Sequence, residues 1–151
     1  MKIAIASDHA GFELKEKIKQ YLKQLGHEHK DFGNHSKESV DYPDFALKAA
    51  ECVAKKECDR GILVCGSGIG MCMSANKVPG IRAAACYNTE MARLSREHND
   101  SNVLTVGARL TDEKTVKEIV RVWLTTEFAG ERHLRRVNKM KDIEKKYSKN
   151  R

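Results

Sequence analysis

Two spacings of apolar residues take turns along this 151-residue chain. Residues 2–6 are a short, mostly apolar run, the pattern of a buried strand. Over residues 12–25 the apolar side chains fall at Leu14, Ile18, Tyr21, Leu22 and Leu25. That is the i, i+4, i+7, i+8, i+11 spacing of one helix face, and Gly26 ends it. Residues 28–32 form a second, polar strand. Tyr42 and Pro43 open a helix with Ala46, Leu47, Ala50 and Val53 on one face, proline being at home in a first turn. Residues 61–65 (GILVC) are the plainest buried strand, and they run straight into a glycine-rich loop. A short helix over 71–76, a strand over 82–87, a helix capped by Asn88 and running through His98, and a strand over 102–107 follow. Asp112 begins a helix whose inner face is Val116, Ile119, Val120, Trp123 and Leu124. A last basic helix, starting at about 132 to 134 and ending at 147, has Leu134, Val137, Met140, Ile143 and Tyr147 as its stripe.

Strands alternating with helices predict an α/β fold with a five-stranded parallel sheet in a doubly wound order, followed by a C-terminal helix. No repeat, low-complexity tract or linker divides the sequence, so residues 1–151 read as one domain. In such sheets a ligand sits beyond the carboxyl ends of the strands. Those tips carry Ser7-Asp8-His9, then Cys65 and the glycine loop, then Tyr87-Asn88, then Gly107-Ala108-Arg109.

Composition removes several function classes. No apolar run approaches the roughly 20 residues of a membrane span, and the start of the chain is too short in apolar residues for a signal peptide. The five cysteines, at 52, 58, 65, 72 and 86, make no CxxC pair. They suggest neither a disulfide framework nor a zinc site, and point to reduced thiols in a cytoplasmic protein. The net charge of +7 invites a nucleic-acid hypothesis, but it is local. Nine Lys/Arg fall within residues 132–151 against Asp142 and Glu144, and the first 131 residues balance. With Tyr147 as its one aromatic, that segment offers no stacking platform, so no nucleic-acid partner is expected.

The chemistry concentrates in VCGSGIGMCMSAN, residues 64–76. The dinucleotide spacing GxGxxG fails at its third glycine, where Met71 stands, and the phosphate-loop pattern GxxxxGK[ST] is absent. What remains is a run of peptide N–H groups at a helix start, able to hold a phosphate or an oxyanion formed during a reaction. Cys65 lies in the same field, which favours negative charge on sulfur; a small buried hydrophobe at a strand end is the competing explanation. Cys72 is the second thiol near the loop, while Cys52, Cys58 and Cys86 read as core. Asp8 and His9 fit either an acid–base pair or a turn and helix cap, and His98 either a site residue or a helix end. Arg109 is equally compatible with the surface. Arg132, His133 and Arg136, at i, i+1 and i+4 near a helix start, oppose the helix dipole unless an anion joins them, which argues for a phosphate ligand.

Five blocks then fall into one pattern: IASDHAGFELK, DYPDFA, ILVCGSGIGMCMSANKVPGIRAA, SREHNDSNVLTVGAR and GERHLRRV. In order and spacing, over nearly the whole chain, they resemble the B-type ribose-5-phosphate isomerases, within the wider family that includes galactose-6-phosphate isomerase subunits. The resemblance implies a Rossmann-like three-layer α/β/α sandwich forming homodimers with active sites at the subunit interface; whether dimers pair into tetramers stays open. It implies metal-independent, cofactor-free interconversion of ribose 5-phosphate and ribulose 5-phosphate through an enediolate, within pentose phosphate metabolism. By the same resemblance Cys65 is the base, Ser67 assists proton movement on the sugar oxygens, and Gly66, Gly68, Ile69 and Gly70 form the hole for the enediolate. Asp8 and His98 open the furanose ring, His98 from the partner subunit. His9, Arg132 and Arg136, with Arg109 from the partner, grip the phosphate, and Tyr42, His133 and Asn99 line the pocket. The C-terminal helix is expected to pack on the partner. Members that lack the cysteine carry a glutamate just after the loop; here that position is Met71, so the chain falls in the cysteine branch. The alternatives are an isomerase of a six-carbon sugar 6-phosphate such as allose or galactose, a non-catalytic sugar-phosphate-binding module, and an RNA-binding protein using its basic C-terminal helix.

Overall fold

The computed structural model describes residues 1–148. Five strands and six helices follow one another: β1 (Lys2–Ser7), α1 (Phe12–Gln24), β2 (Glu28–Asp31), α2 (Tyr42–Ala54), β3 (Arg60–Cys65), α3 (Ile69–Ala75), β4 (Ala83–Ala85), α4 (Thr89–Glu97), β5 (Val103–Gly107), α5 (Glu113–Thr125) and α6 (Glu131–Ser148). The strands form one parallel sheet in the order β2-β1-β3-β5-β4. The expected fold class is therefore the observed one. β5 enters the sheet between β3 and the edge strand β4, and it is this insertion that sets the Cys65 tip beside Gly107.

Alternation along the strands divides the core into two layers. Ile3, Ile5, Ile62, Val64, Leu104 and Val106 face α1 and α5. Ala4, Ala6, Leu63, Cys65 and Val103 face α2 and α3. Small residues on the second face let α2 settle close to the sheet, with Ala46, Ala49, Ala50 and Val53 as its buried positions. Leu47, expected among them, is 47% exposed; it sits one position, about 100°, round the helix from that stripe. A second departure is Lys15, fully buried on α1. Its Nζ donates to both carboxylate oxygens of Asp31, at 2.8 and 2.7 Å, tying α1 to the end of β2. Although burial opposes it, bonds from Lys15, Lys19 and the Gly33 amide hold the Asp31 carboxyl below the usual range.

Two element boundaries differ from those the sequence predicts. β4 is three residues rather than six, and Asn76 satisfies its open edge: its Oδ1 accepts from Ala83 N at 2.8 Å and its Nδ2 donates to Ala83 O at 3.0 Å. The caps at Asn88 and Asp112 form as expected, accepting from Met91 N and Thr115 N. α6 begins earlier, at Glu131, so Arg132, His133 and Arg136 occupy its first two turns. Of its expected apolar stripe only Val137 is buried; Leu134, Met140, Ile143 and Tyr147 remain exposed on this chain. No helix among the described residues is long and apolar enough to cross a membrane.

Candidate active site

A cleft of about 510 Å³ opens at the carboxyl ends of β1, β3 and β5. Asp8, Tyr42, Cys65, Gly66, Ser67, Ile69, Gly70 and Arg109 line it, together with Met73 and Leu110. Asp8 is held rigidly: its amide donates to Val64 O, and its Oδ1 accepts from Gly11 N at 2.9 Å. That leaves Oδ2 as the free end of a buried carboxylate. Cys65 is 4% exposed, and its Sγ accepts from the Gly68 amide at 3.1 Å. Ser67 Oγ accepts from Ile69 N at 3.2 Å. The amides of Gly66, Ser67 and Gly70 have no acceptor among the described residues, so the loop presents donors beside the sulfur. Tyr42 lies on the loop, where a Cβ on Gly70 would stand 2.6 Å from its Cζ. A Cβ on Gly66 would meet Arg109 Nη1 at 3.3 Å, which fixes that guanidinium over the loop of its own chain. His9 is next to the cleft; its Nδ1 accepts from Val40 N at 3.2 Å, which leaves Nε2 to carry the donor proton.

The remaining expected residues gather at the other end of the sheet. α4 carries the chain back from the strand tips, so His98, its C-cap, and Asn99 precede β5 at the amino ends. There the His98 and His133 rings stack with centroids 4.1 Å apart and planes inclined by 10°. Ala129 N donates to Glu97 O, and Gly80 N to Glu144 Oε1, so α6 is tied along this same edge from start to end. The length of β5 alone, about 15 Å at strand rise, lies between the two groups. His133 is pushed below the ordinary imidazole range by burial first, then by His98, Arg132 and Arg136, with Glu97 opposing. It lies in a cationic cluster, with Arg132 and Arg136 exposed beside it on α6.

The Ribose/Galactose Isomerase family pattern matches residues 3–140. The chain belongs to that family. It is 45% identical over 145 residues to ribose-5-phosphate isomerase B of Escherichia coli, covering 96% of this chain and 97% of that one. It is 43% identical over 131 residues to D-erythrulose-4-phosphate isomerase of Pectobacterium atrosepticum, covering 86% of each. The structure of ribose-5-phosphate isomerase B from Clostridium thermocellum superposes with a TM-score of 0.96 at 57% identity, over 97% of this chain and 99% of that one. Like these relatives, the chain is an isomerase, an enzyme with the family's α/β fold.

Of the site residues expected from the sequence, the structure brings Asp8, Tyr42, Ser67, Gly66, Gly68, Ile69, Gly70 and Arg109 together around Cys65, with His9 adjacent. It does not bring His98, Asn99, Arg132, His133 or Arg136 to them within one chain. Arg109 stays with Cys65 of its own chain, because β5 is the neighbour of β3. Arg132 and Arg136 travel with His98, because α6 docks on the end of α4. Cys72 is separated from the cleft; its Sγ donates to Ala83 O at 3.4 Å under the sheet edge, and burial pushes that thiol up. Sequence reasoning missed Met73 and Leu110. Met73 is four residues after Ile69 on the same exposed helix face, a spacing that would have found it.

Proposed function

We propose that the chain is a ribose-5-phosphate isomerase that moves a proton between C2 and C1 of an open-chain sugar phosphate, with Cys65 as the base and no metal ion or cofactor. One observation carries this reading: a buried thiol accepts from the Gly68 amide at the mouth of a loop whose Gly66, Ser67 and Gly70 amides have no acceptor among the described residues. The proton at C2 of an aldose is too weakly acidic to remove unless the oxyanion formed beside it is stabilised. The free amides aim where that charge develops, so Cys65 takes the C2 proton, the enediolate charge rests on the loop, and the proton returns at C1. Ser67 Oγ relays the proton between the two sugar oxygens.

The free sugar is mostly a closed ring, which must open before isomerisation. Asp8 and His98 are the acid–base pair for that step, and the dianionic phosphate is held by Arg132 and Arg136, with His9 Nε2 as a further donor. Since these residues fall at opposite ends of one sheet, a site containing all of them is built by two copies, each offering its cleft to the other's amino-end cationic cluster. The uncovered Ile69 and Met73 beside the cleft and Leu134 and Ile143 on α6 support such a homodimer.

The likeness to the Escherichia coli enzyme favours the five-carbon substrate; the 43% identity to a four-carbon enzyme supports a second reading, the same chemistry on a shorter sugar phosphate. Proton NMR of the protein with ribose 5-phosphate in D2O, with a chelator present, tests both. Ribulose 5-phosphate carrying deuterium at the exchanging carbon is the expected result, and Cys65→Ala lowers turnover about 100-fold or more while still binding the substrate. Product that depends on added metal, or full turnover in Cys65→Ala, removes the mechanism. Turnover only on four- or six-carbon sugar phosphates keeps the chemistry and replaces the substrate.

A further inference from the structure

We infer that Tyr87 is a positioning residue that sets the charge state and aim of Cys65 through the Ser67–Gly68 peptide. The inference deepens the function proposed above and rests on Cys65 being its base. Tyr87 follows the edge strand β4, at the same end of the sheet as the cleft, yet it does not line the cleft. Its hydroxyl donates to Ser67 O at 2.8 Å. The N–H of that same peptide unit belongs to Gly68, and it donates to Cys65 Sγ at 3.1 Å. One peptide plane is therefore bonded at both ends, phenol on its carbonyl and sulfur on its amide.

Two physical effects follow. A hydrogen bond to a carbonyl polarises the amide and makes its N–H the stronger donor, so the Tyr87 hydroxyl strengthens the contact that favours negative charge on sulfur. The second effect is orientation. A peptide turns over by rotating ψ of the first residue and φ of the second, and Gly68, at φ 80°, is the residue type for which that rotation is cheap. Turned over, the unit would set a carbonyl oxygen against Sγ, exchanging a donor for a repelling acceptor. The following peptide is already fixed, because buried Thr105 donates its Oγ1 proton to Gly68 O at 2.8 Å. Tyr87 is the corresponding lock on the preceding one. The phenol is well suited to that role. Burial first, then the neighbouring Cys72, Cys65 and Cys86, hold it above the ordinary phenol range, so it stays protonated and donating.

Tyr87→Phe keeps the ring and removes the lock. The measurement is the rate of iodoacetamide labelling at each cysteine against pH, resolved by peptide mass spectrometry, beside steady-state kinetics on the same protein. The expected result is a Cys65 labelling profile displaced to higher pH, with Cys72 and Cys86 unchanged. The loss of one hydrogen bond predicts a fall of about three- to tenfold in kcat at constant KM. An unchanged Cys65 profile overturns the inference, and so does a common acceleration at Cys65, Cys72 and Cys86, which would make Tyr87 a purely structural contact. The labelling profile needs no turnover. Should Cys65→Ala stay active, the proposed base would fall, while the profile would still decide whether Tyr87 governs the thiol.

Discussion

Cys65 owes its setting to backbone groups more than to charged side chains, so the residues most sensitive to change are those that let the backbone come close. Gly107 is one of them. A Cβ there would stand 2.6 Å from both the carbonyl carbon and the oxygen of Ser67, which are main-chain atoms with nowhere to go. Gly107→Ala forces the β3 and β5 tips apart and carries the Ser67–Gly68 peptide off Cys65 Sγ. The expected outcome is a loss of about 1–3 kcal/mol of stability in chemical denaturation, with a larger loss of turnover than of substrate binding. A variant of wild-type stability and activity would mean that the loop tolerates displacement. At this scale the sequence was legible wherever residue type alone carries chemistry: a thiol in front of glycines, an aspartate and histidine at a strand tip. Tyr87 was placed at a strand tip, but what it and Thr105 bond was not legible, because each acts through a backbone group contributed by residues 20 and 37 positions away.

Among the elements, α6 departs furthest from the behaviour its pattern predicts. Its stripe of Leu134, Val137, Met140, Ile143 and Tyr147 is a regular amphipathic face, yet His133 and Val137 are what this chain buries. Periodicity reports that a face is meant to be covered; it does not say by what. Lys15 is the opposite case, a cation on a buried face that hydropathy assigns to solvent and that only its fit to Asp31 explains. The first turns of α6 also make a prediction. Burial first, and then His98, Arg132 and Arg136 around it, hold His133 below the ordinary imidazole pKa of about 6.5. The folded state therefore binds fewer protons than the unfolded one, and stability falls as pH drops through that value. A dianion beside the helix start reverses the balance and favours imidazolium. Imidazole proton NMR, with His133→Gln to assign the signal, should find the His133 titration moved to higher pH by ribose 5-phosphate. A His133 titration indifferent to the ligand would take the phosphate away from α6.

On the scale of the whole molecule, the strand order decides where the chemistry lies. Local patterns foretold five parallel strands, and they cannot foretell that β5 enters between β3 and β4, since nothing in a strand's own residues names its neighbours. That insertion delivers Arg109 to the Cys65 cleft, and the return of α4 delivers His98 to the opposite end, where α6 adds Arg132 and Arg136. Each chain thus carries the two groups of residues at opposite ends of its sheet, and the proposed twofold pairing of copies would bring them together in both sites at once. The consequence is complementation. Cys65→Ala damages the cleft and leaves the amino-end cationic cluster intact; Arg132→Ala combined with Arg136→Ala does the reverse. Each variant alone is expected to be inactive in both of its sites. In a heterodimer of the two, one site inherits both lesions and the other inherits neither. Coexpression with two separable tags and purification through both should therefore return about half the wild-type activity per dimer. Were all these residues to meet within one chain, every site in that heterodimer would keep a lesion and no activity would return.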